Sequence, residues 1–244
     1  MIFGQGTTDN LFNLNQGLKN FDNALTPAAR AKSIFVGYNG GHVLPSAFPL
    51  GTGVSGDPCS NLLNGTSFGA LAQRFLTENL KGVSTGLTGH GLYHLTTAAG
   101  QCVTVDSVAA DTSIAVGTIA TTVEAGAPQH VKLADGPISV AGTPFVDTVV
   151  STSSTDARLF FSLAIGITPA DARIIQNNMM PLRVLGPTVD GVRTVELPAI
   201  AVDVPAGQSL FLTVSPVSDM SIGYVSRVPG AVLLEDTVVR IPQV

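Results

Sequence analysis

The chain has 244 residues, of which 45% are hydrophobic and 12% are charged, with 26 glycines, 15 prolines and no tryptophan. This length allows one large or two modest domains, and the apolar fraction argues against intrinsic disorder. Twelve basic and 17 acidic side chains give a net charge of −5, the wrong sign for a nucleic-acid surface. No apolar run reaches the 18 residues of a membrane-spanning helix. We therefore expect a folded chain with no nucleic-acid partner and no membrane span.

The charges divide the chain into two regions. Residues 1–100 carry five basic and four acidic side chains, whereas residues 101–244 carry seven and thirteen. We interpret these two compositions as two domains with those boundaries.

The first region has the pattern of one βαβ unit. The apolar residues 1–6 predict a strand, and leucines and phenylalanines at helical spacing over residues 11–25 predict a helix. Pro27 ends that helix, and residues 34–36 predict a second strand. Strand, helix and strand in this order imply a parallel pair, so we expect part of a parallel sheet. A second amphipathic helix is predicted over residues 68–80.

The second region consists of short β-prone runs separated by turn residues. At least seven such runs at this spacing are typical of an antiparallel β-sandwich or a jelly roll. The predicted strands are Val103–Val105, His130–Leu133, Phe145–Val150, Leu159–Ile165, Val192–Val204, Leu210–Val214 and Val232–Ile241. Strand periodicity predicts that Phe160, Leu163, Leu210, Leu212 and Val214 point into the core.

Two chemically capable residues follow the two predicted parallel strands. Asp9 lies just beyond the end of the first strand and His42 just beyond the end of the second. Because parallel strands end at the same edge of a sheet, the two side chains are candidates for an orienting carboxylate and a general base. The alternatives are a helix N-cap for Asp9 and an ordinary loop histidine for His42.

These residues also carry a family resemblance. It runs through Gly6-Thr7-Thr8-Asp9-Asn10-Leu11-Phe12, Gly40-Gly41-His42, Phe75-Leu76, Leu80-Lys81-Gly82, Ala141-Gly142-Thr143-Pro144, Asp156-Ala157-Arg158-Leu159-Phe160-Phe161 and Pro205-Ala206-Gly207-Gln208-Ser209-Leu210. In this order the segments resemble the carboxyl-terminal part of the CocE/NonD hydrolases, the X-Pro dipeptidyl-peptidase-like serine hydrolases of peptidase family S15.

The resemblance implies a fold, an activity and two catalytic residues. The fold would be α+β and mostly β: an incomplete α/β-hydrolase βαβ remnant in 1–100, then a galactose-binding-like jelly roll in 101–244. Asp9 and His42 would be the triad carboxylate and base. The substrate of the full-length enzyme would be a small ester, amide or peptide, with no cofactor or metal. Apart from the resemblance, scarce lysine, abundant small and β-branched residues and the cysteine pair favour an extracellular or secreted parent enzyme, although the sequence leaves the location open.

The nucleophile of such a triad should precede the aspartate, but only eight residues do so here. The motif Gly65-Thr66-Ser67-Phe68-Gly69 fits a nucleophile elbow, yet no strand precedes it and the order is wrong for an α/β-hydrolase. Ser67 or Thr66 is better interpreted as a helix cap. We therefore expect a hydrolase fragment that is inactive alone and prone to self-association through its truncated sheet. The alternative function is a jelly-roll module that binds a sugar, a peptide or a partner protein.

Two smaller patterns complete the sequence. Cys59 and Cys102 could form one disulfide, worth roughly 3–4 kcal/mol, or remain two unrelated buried thiols. His90 and His94 have the i, i+4 spacing of zinc ligands, but the flanking glycines disfavour a helix, so no metal site is expected.

Overall fold

The protein is described from a computed structural model, which covers residues 1–9, 11–41, 56–124, 126–176, 178–218, 221 and 223–244. It is mostly β, with 45% of residues in strands and 15% in helices. Within the described ranges the elements fall into an α/β part at the amino-terminal end and a set of antiparallel sheets after it.

The α/β part is built on a four-stranded sheet in the order β1-β2-β3-β4. Its strands are β1 (Ile2–Gly6), β2 (Ile34–Tyr38), β3 (Tyr93–Thr96) and β4 (Cys102–Val105). The first three are parallel and β4 is antiparallel to β3. The predicted βαβ unit is thus present. The predicted strand Val103–Val105, expected to be the first strand of the sandwich, lies in β4 and instead completes this sheet.

Helices cover both faces of the α/β sheet. They are α1 (Leu14–Asn23), α2 (Pro27–Arg30), α3 (Pro58–Leu62) and α4 (Phe68–Lys81). Leu14, Leu18 and Phe21 of α1 are buried on one face, and α3 and α4 pack on the other. Helix α4 ends at Gly82, whose φ of +66° is the left-handed conformation that glycine adopts without strain.

The remaining strands form three antiparallel sheets. They are β5 (Thr112–Thr122), β6 (Gln129–Asp135), β7 (Ile138–Gly142), β8 (Phe145–Thr152), β9 (Asp156–Gly166), β10 (Arg173–Ile174), β11 (Met180–Leu185), β12 (Thr188–Glu196), β13 (Ile200–Val204), β14 (Ser209–Ser215) and β15 (Ala231–Ile241). One sheet has the order β12-β8-β15-β5, a second has β10-β9-β14-β6 with β11 also paired to β9, and β13 pairs with β7.

The two larger sheets enclose one apolar core. Leu163, Leu210, Leu212 and Val214 belong to it, as the strand periodicity predicts. Phe160 is also fully buried, but it lies on the opposite face of β9 and contacts the Tyr224 ring edge-on at 6.4 Å. Strand β9 is therefore covered on both faces, because residues one position apart must point to opposite sides.

Helix α1 joins the α/β part to the sandwich. Its buried face shares an apolar cluster with Ala141, Ala199 and Ala201 of the small β7–β13 sheet region. Asn15 is also buried in this joint, only 2% exposed, and donates its side-chain amide to the Glu196 carboxylate at 2.7 Å and the Leu197 carbonyl at 2.9 Å. Its amide oxygen accepts the Ala199 backbone N–H.

Cys59 of α3 and Cys102 of β4 form a disulfide, with their Cα atoms 4.9 Å apart. The bond ties a helix to the sheet edge that it covers. We expect the double variant C59A/C102A to lose about 3 kcal/mol of unfolding free energy, because the 43-residue separation constrains the unfolded chain. Urea unfolding measures this loss. Dithiothreitol should lower the stability of the wild type to that of the variant and leave the variant unchanged.

Candidate functional site

The carboxyl-terminal edge of the β1–β2 pair is the candidate site. Gly6 of β1 is in register with Tyr38 of β2, and the Thr7 N–H donates to the Tyr38 carbonyl at 3.0 Å. Beyond the strands, Thr8 donates both its N–H (3.1 Å) and its hydroxyl (2.8 Å) to the Gly40 carbonyl. The segment that leads to Asp9 and the segment that leads to residue 42 are therefore held together.

Glycine at position 6 makes this close approach possible. A Cβ atom there would lie 2.4 Å from the carbonyl oxygen of Gly40 and 3.0 Å from that of Gly41. Both obstacles are backbone atoms, which cannot rotate away as a side chain can. The two strand ends can adopt this spacing only because residue 6 has no side chain.

The Asp9 carboxylate is held by donors on both of its oxygens. Oδ1 accepts the backbone N–H groups of Leu11 and Phe12, each at 2.9 Å, and Oδ2 accepts the Gln5 side-chain amide at 3.2 Å. Asp9 is only 9% exposed. It does not cap α1, whose N-cap residue is Asn13. The carboxylate instead closes a turn at the sheet edge, so the helix-cap interpretation is not supported.

Tyr38 borders the same edge. Its ring stacks on Phe68 of α4, with centroids 5.3 Å apart. Burial raises the pKa of the Tyr38 hydroxyl above its ordinary value, and the carboxylates of Asp9 and Asp57 raise it further. Asp57 itself caps α3 by accepting the Ser60 backbone N–H, and its other oxygen accepts the Ser60 hydroxyl at 2.6 Å. The phenol therefore remains a neutral hydrogen-bonding group beside two carboxylates.

The second predicted site residue, His42, lies outside the described residues, so its pairing with Asp9 stays a prediction. Ser67 of the rejected elbow motif is the N-cap of α4 and accepts the Ala70 N–H at 3.3 Å. That contact agrees with the capping interpretation of the motif.

His94 is a buried structural residue of β3. Its Nδ1 lies 2.9 Å from the Thr104 hydroxyl and its Nε2 lies 3.0 Å from the Gly89 carbonyl, so Nε2 carries the proton and Nδ1 accepts. Burial lowers the pKa of this imidazole, and the hydrogen bond to Gly89 opposes the shift in part. His90 of the same i, i+4 pattern is exposed.

The His94 environment predicts a pH-dependent stability. Below about pH 6.5 the unfolded chain binds a proton at His94 that the folded chain does not, so stability should fall as the pH falls. We expect H94Q to reduce the slope of unfolding free energy between pH 7.5 and 5, and H90Q to leave it unchanged. Some slope should persist, because burial also lowers the pKa of His130. Equal slopes in H94Q and the wild type would contradict this account.

No group of three or more histidine, cysteine, aspartate or glutamate side chains is placed to hold a metal ion in the part of the chain that the structure covers. Over the same residues, no helix has the length and apolar character needed to cross a membrane.

Gln5 is the member of this site that the sequence did not indicate. A single glutamine in an apolar strand matches no catalytic motif, and its partner Asp9 is reached only after the chain has turned. One sequence feature could have indicated Gln5. It is a polar residue on the same face of β1 as Phe3, and Phe3 packs toward α1.

Three solved structures resemble this chain in fold. A CocE/NonD family hydrolase from Staphylococcus aureus matches with a TM-score of 0.53 and 14% identity, over 73% of this chain and 46% of that chain. An aminopeptidase from the marine sediment archaeon Thaumarchaeota archaeon matches with a TM-score of 0.65 and 12% identity, over 100% of this chain and 54% of that chain. An α-amino acid ester hydrolase matches with a TM-score of 0.61 and 9% identity, over 100% of this chain and 55% of that chain.

The chain shares its fold with part of these hydrolases. It spans about half the length of each of them. No protein-family model matches the sequence, and no curated protein does either. Identities of 9–14% limit the likeness to the fold, so what this chain does must be argued from its own site.

Proposed function

We propose that this chain is the carboxyl-terminal part of a serine ester or amide hydrolase and supplies two members of its catalytic triad. Asp9 would be the orienting carboxylate and His42 the general base. The observation that carries the proposal is the pair of hydrogen bonds from Thr8 to the Gly40 carbonyl. They hold the Asp9 turn against the backbone two residues before His42.

The chemistry follows from these two roles. An aspartate that accepts the Nδ1–H of an imidazole leaves Nε2 to take a proton from a serine hydroxyl, and it stabilises the imidazolium that forms. The donors on Asp9 keep its carboxylate in a fixed orientation while this occurs. The serine and the oxyanion donors would come from a nucleophile-bearing α/β unit. We propose a small ester, amide or peptide as the substrate, because two of the matched structures are an aminopeptidase and an α-amino acid ester hydrolase.

We also propose the two-unit division, with β4 counted in the first unit, and a jelly roll for the second. The order β12-β8-β15-β5 opposite β11-β9-β14-β6 supports the jelly roll, since it is the arrangement of two Greek keys of four strands. Along these eight strands, each strand lies in the opposite sheet from the strand before it, except that β11 lies in the same sheet as β9.

The β1 edge supports a partner for this unit. β1 is the terminal strand of the α/β sheet as described, and its sequence contains no charge or proline. Open edges of that kind pair with other strands. We propose that a parallel strand of the nucleophile-bearing unit pairs here, and that the isolated chain self-associates through the same edge. The Cys59–Cys102 disulfide supports an oxidising, extracellular location.

The test has a chemical arm and a spectroscopic arm. The purified chain should neither hydrolyse p-nitrophenyl esters nor label with a fluorophosphonate, because a base without a nucleophile forms no acyl-enzyme. In ¹⁵N NMR, the His42 imidazole should be held in the Nδ1–H tautomer, and D9N should release it to a mixture of tautomers. D190N, at an exposed aspartate of β12, is the matched control and should leave His42 unaffected.

Three results would count against the proposal. A His42 spectrum unaltered by D9N would remove the Asp9–His42 pair. Ester turnover that is lost in S67A would restore the elbow motif. Turnover that survives S67A but is lost in H42A would reveal a nucleophile elsewhere in the chain.

A further inference from the structure

We infer that Gln5 is a positioning residue, which fixes the Asp9 carboxylate to the sheet. The inference rests on the proposed function of Asp9. It concerns a residue that carries out no chemistry of its own and acts only through the orientation of the carboxylate.

Both N–H groups of the Gln5 amide are used at the Asp9 turn. The nitrogen donates to Asp9 Oδ2 at 3.2 Å and to the Phe12 carbonyl at 2.8 Å. The Phe12 N–H in turn donates to Asp9 Oδ1 at 2.9 Å. One side chain of β1 therefore binds the carboxylate and also the peptide segment that binds the same carboxylate.

The two Gln5 contacts and the backbone N–H groups fix the Asp9 carboxylate relative to different parts of the chain. The N–H groups of Leu11 and Phe12 belong to the turn and move with it, so they fix the carboxylate only relative to the turn. Gln5 belongs to β1, which is in register with β2 through Gly6 and Tyr38. Through Gln5 the carboxylate is thus fixed relative to the strand pair whose second member leads to His42.

The stem of Gln5 is itself packed in place. Gly17 lies in the middle of α1, where alanine would favour the helix more than glycine does. A Cβ atom on Gly17 would lie 2.8 Å from the Gln5 Cβ and 3.2 Å from its Cγ. The helix backbone therefore lies against the Gln5 stem and limits the conformations open to that side chain.

Such fixation matters in a triad because the carboxylate sets both the tautomer and the direction of the imidazole. A misplacement of about 1 Å in a catalytic group costs about 100-fold in rate. Loss of the Gln5 amide should therefore loosen the turn and the histidine together.

The test uses the full chain and the variant Q5M, which keeps the unbranched stem and removes both donors. Amide hydrogen exchange at Leu11 and Phe12 should quicken about tenfold, since the acceptor that protects them is no longer held. The ¹⁵N spectrum should show His42 as a mixture of tautomers. Q73M, at an exposed glutamine of α4, is the matched control and should change neither signal.

The outcomes separate this inference from the proposed function. If Q5M quickens exchange and D9N leaves the His42 tautomer unchanged, Gln5 holds Asp9 but the triad proposal fails. If D9N releases His42 and Q5M does not, the triad stands and the positioning role is refuted. The positioning role is also refuted if Q5M only loses thermal stability. In that case amide exchange at Leu11 and Phe12 and the His42 tautomer would be the same in Q5M as in Q73M.

Discussion

Substituting valine for Gly6 should cost about 4 kcal/mol of unfolding free energy, a large effect for one residue. The Cβ would lie 2.4 Å from the Gly40 carbonyl oxygen and 2.9 Å from its carbon, so β1 and the segment after β2 would have to separate. Their separation would break the bonds from Thr8 to Gly40. Chemical denaturation gives the free energy, and amide exchange at Thr8 should accelerate.

The control for G6V is G69A. A Cβ on Gly69, in the first turn of α4, would have only the Ser67 hydroxyl within 4 Å, at 3.9 Å. Alanine there should be neutral or stabilise by up to about 1 kcal/mol, because it favours the helix. Comparable stability of G6V and the wild type would mean that the two strand ends are not held at the described spacing.

Asn15 is the second position at which one substitution should have a large effect. N15L would leave the Leu197 carbonyl and the Ala199 N–H buried without their partner, and would remove one contact of Glu196. Each orphaned buried group costs about 1–3 kcal/mol, so we expect a loss of about 4 kcal/mol in unfolding free energy. Denaturation followed by circular dichroism measures it.

N20L is the matched control for N15L. Asn20 is exposed on the same helix, so leucine there should change stability by less than about 0.5 kcal/mol. If N15L and N20L behaved alike, the joint between α1 and the sandwich would depend on apolar contacts alone. The hydrogen bonds of Asn15 would then have no measurable role.

The predicted elements that the structure reproduces are those with strong local patterns. Helix α4 shows both capping residues that its sequence indicates, Ser67 and Gly82. Strand β5 is not among the predicted strands: Ile114 and Val116 alternate with exposed residues, but the alternation breaks after Gly117, where Ile119 rather than Thr118 is buried. The four-residue strand β3 was also missed. Its Tyr93–Thr96 run is buried by neighbours far away in sequence, and a short run gives too little periodicity to detect.

For the candidate site, local patterns in the sequence are enough to predict an aspartate after one strand and a histidine after the next, since strand and helix periodicities are local properties of the chain. Three other features are visible only in the folded chain: Gly6 lies against Gly40, Gln5 holds Asp9, and Asn15 joins α1 to the sandwich. Each of these depends on close packing or a hydrogen bond between elements whose separation is set by the whole sheet and its helices. No periodicity within a segment records such a distance.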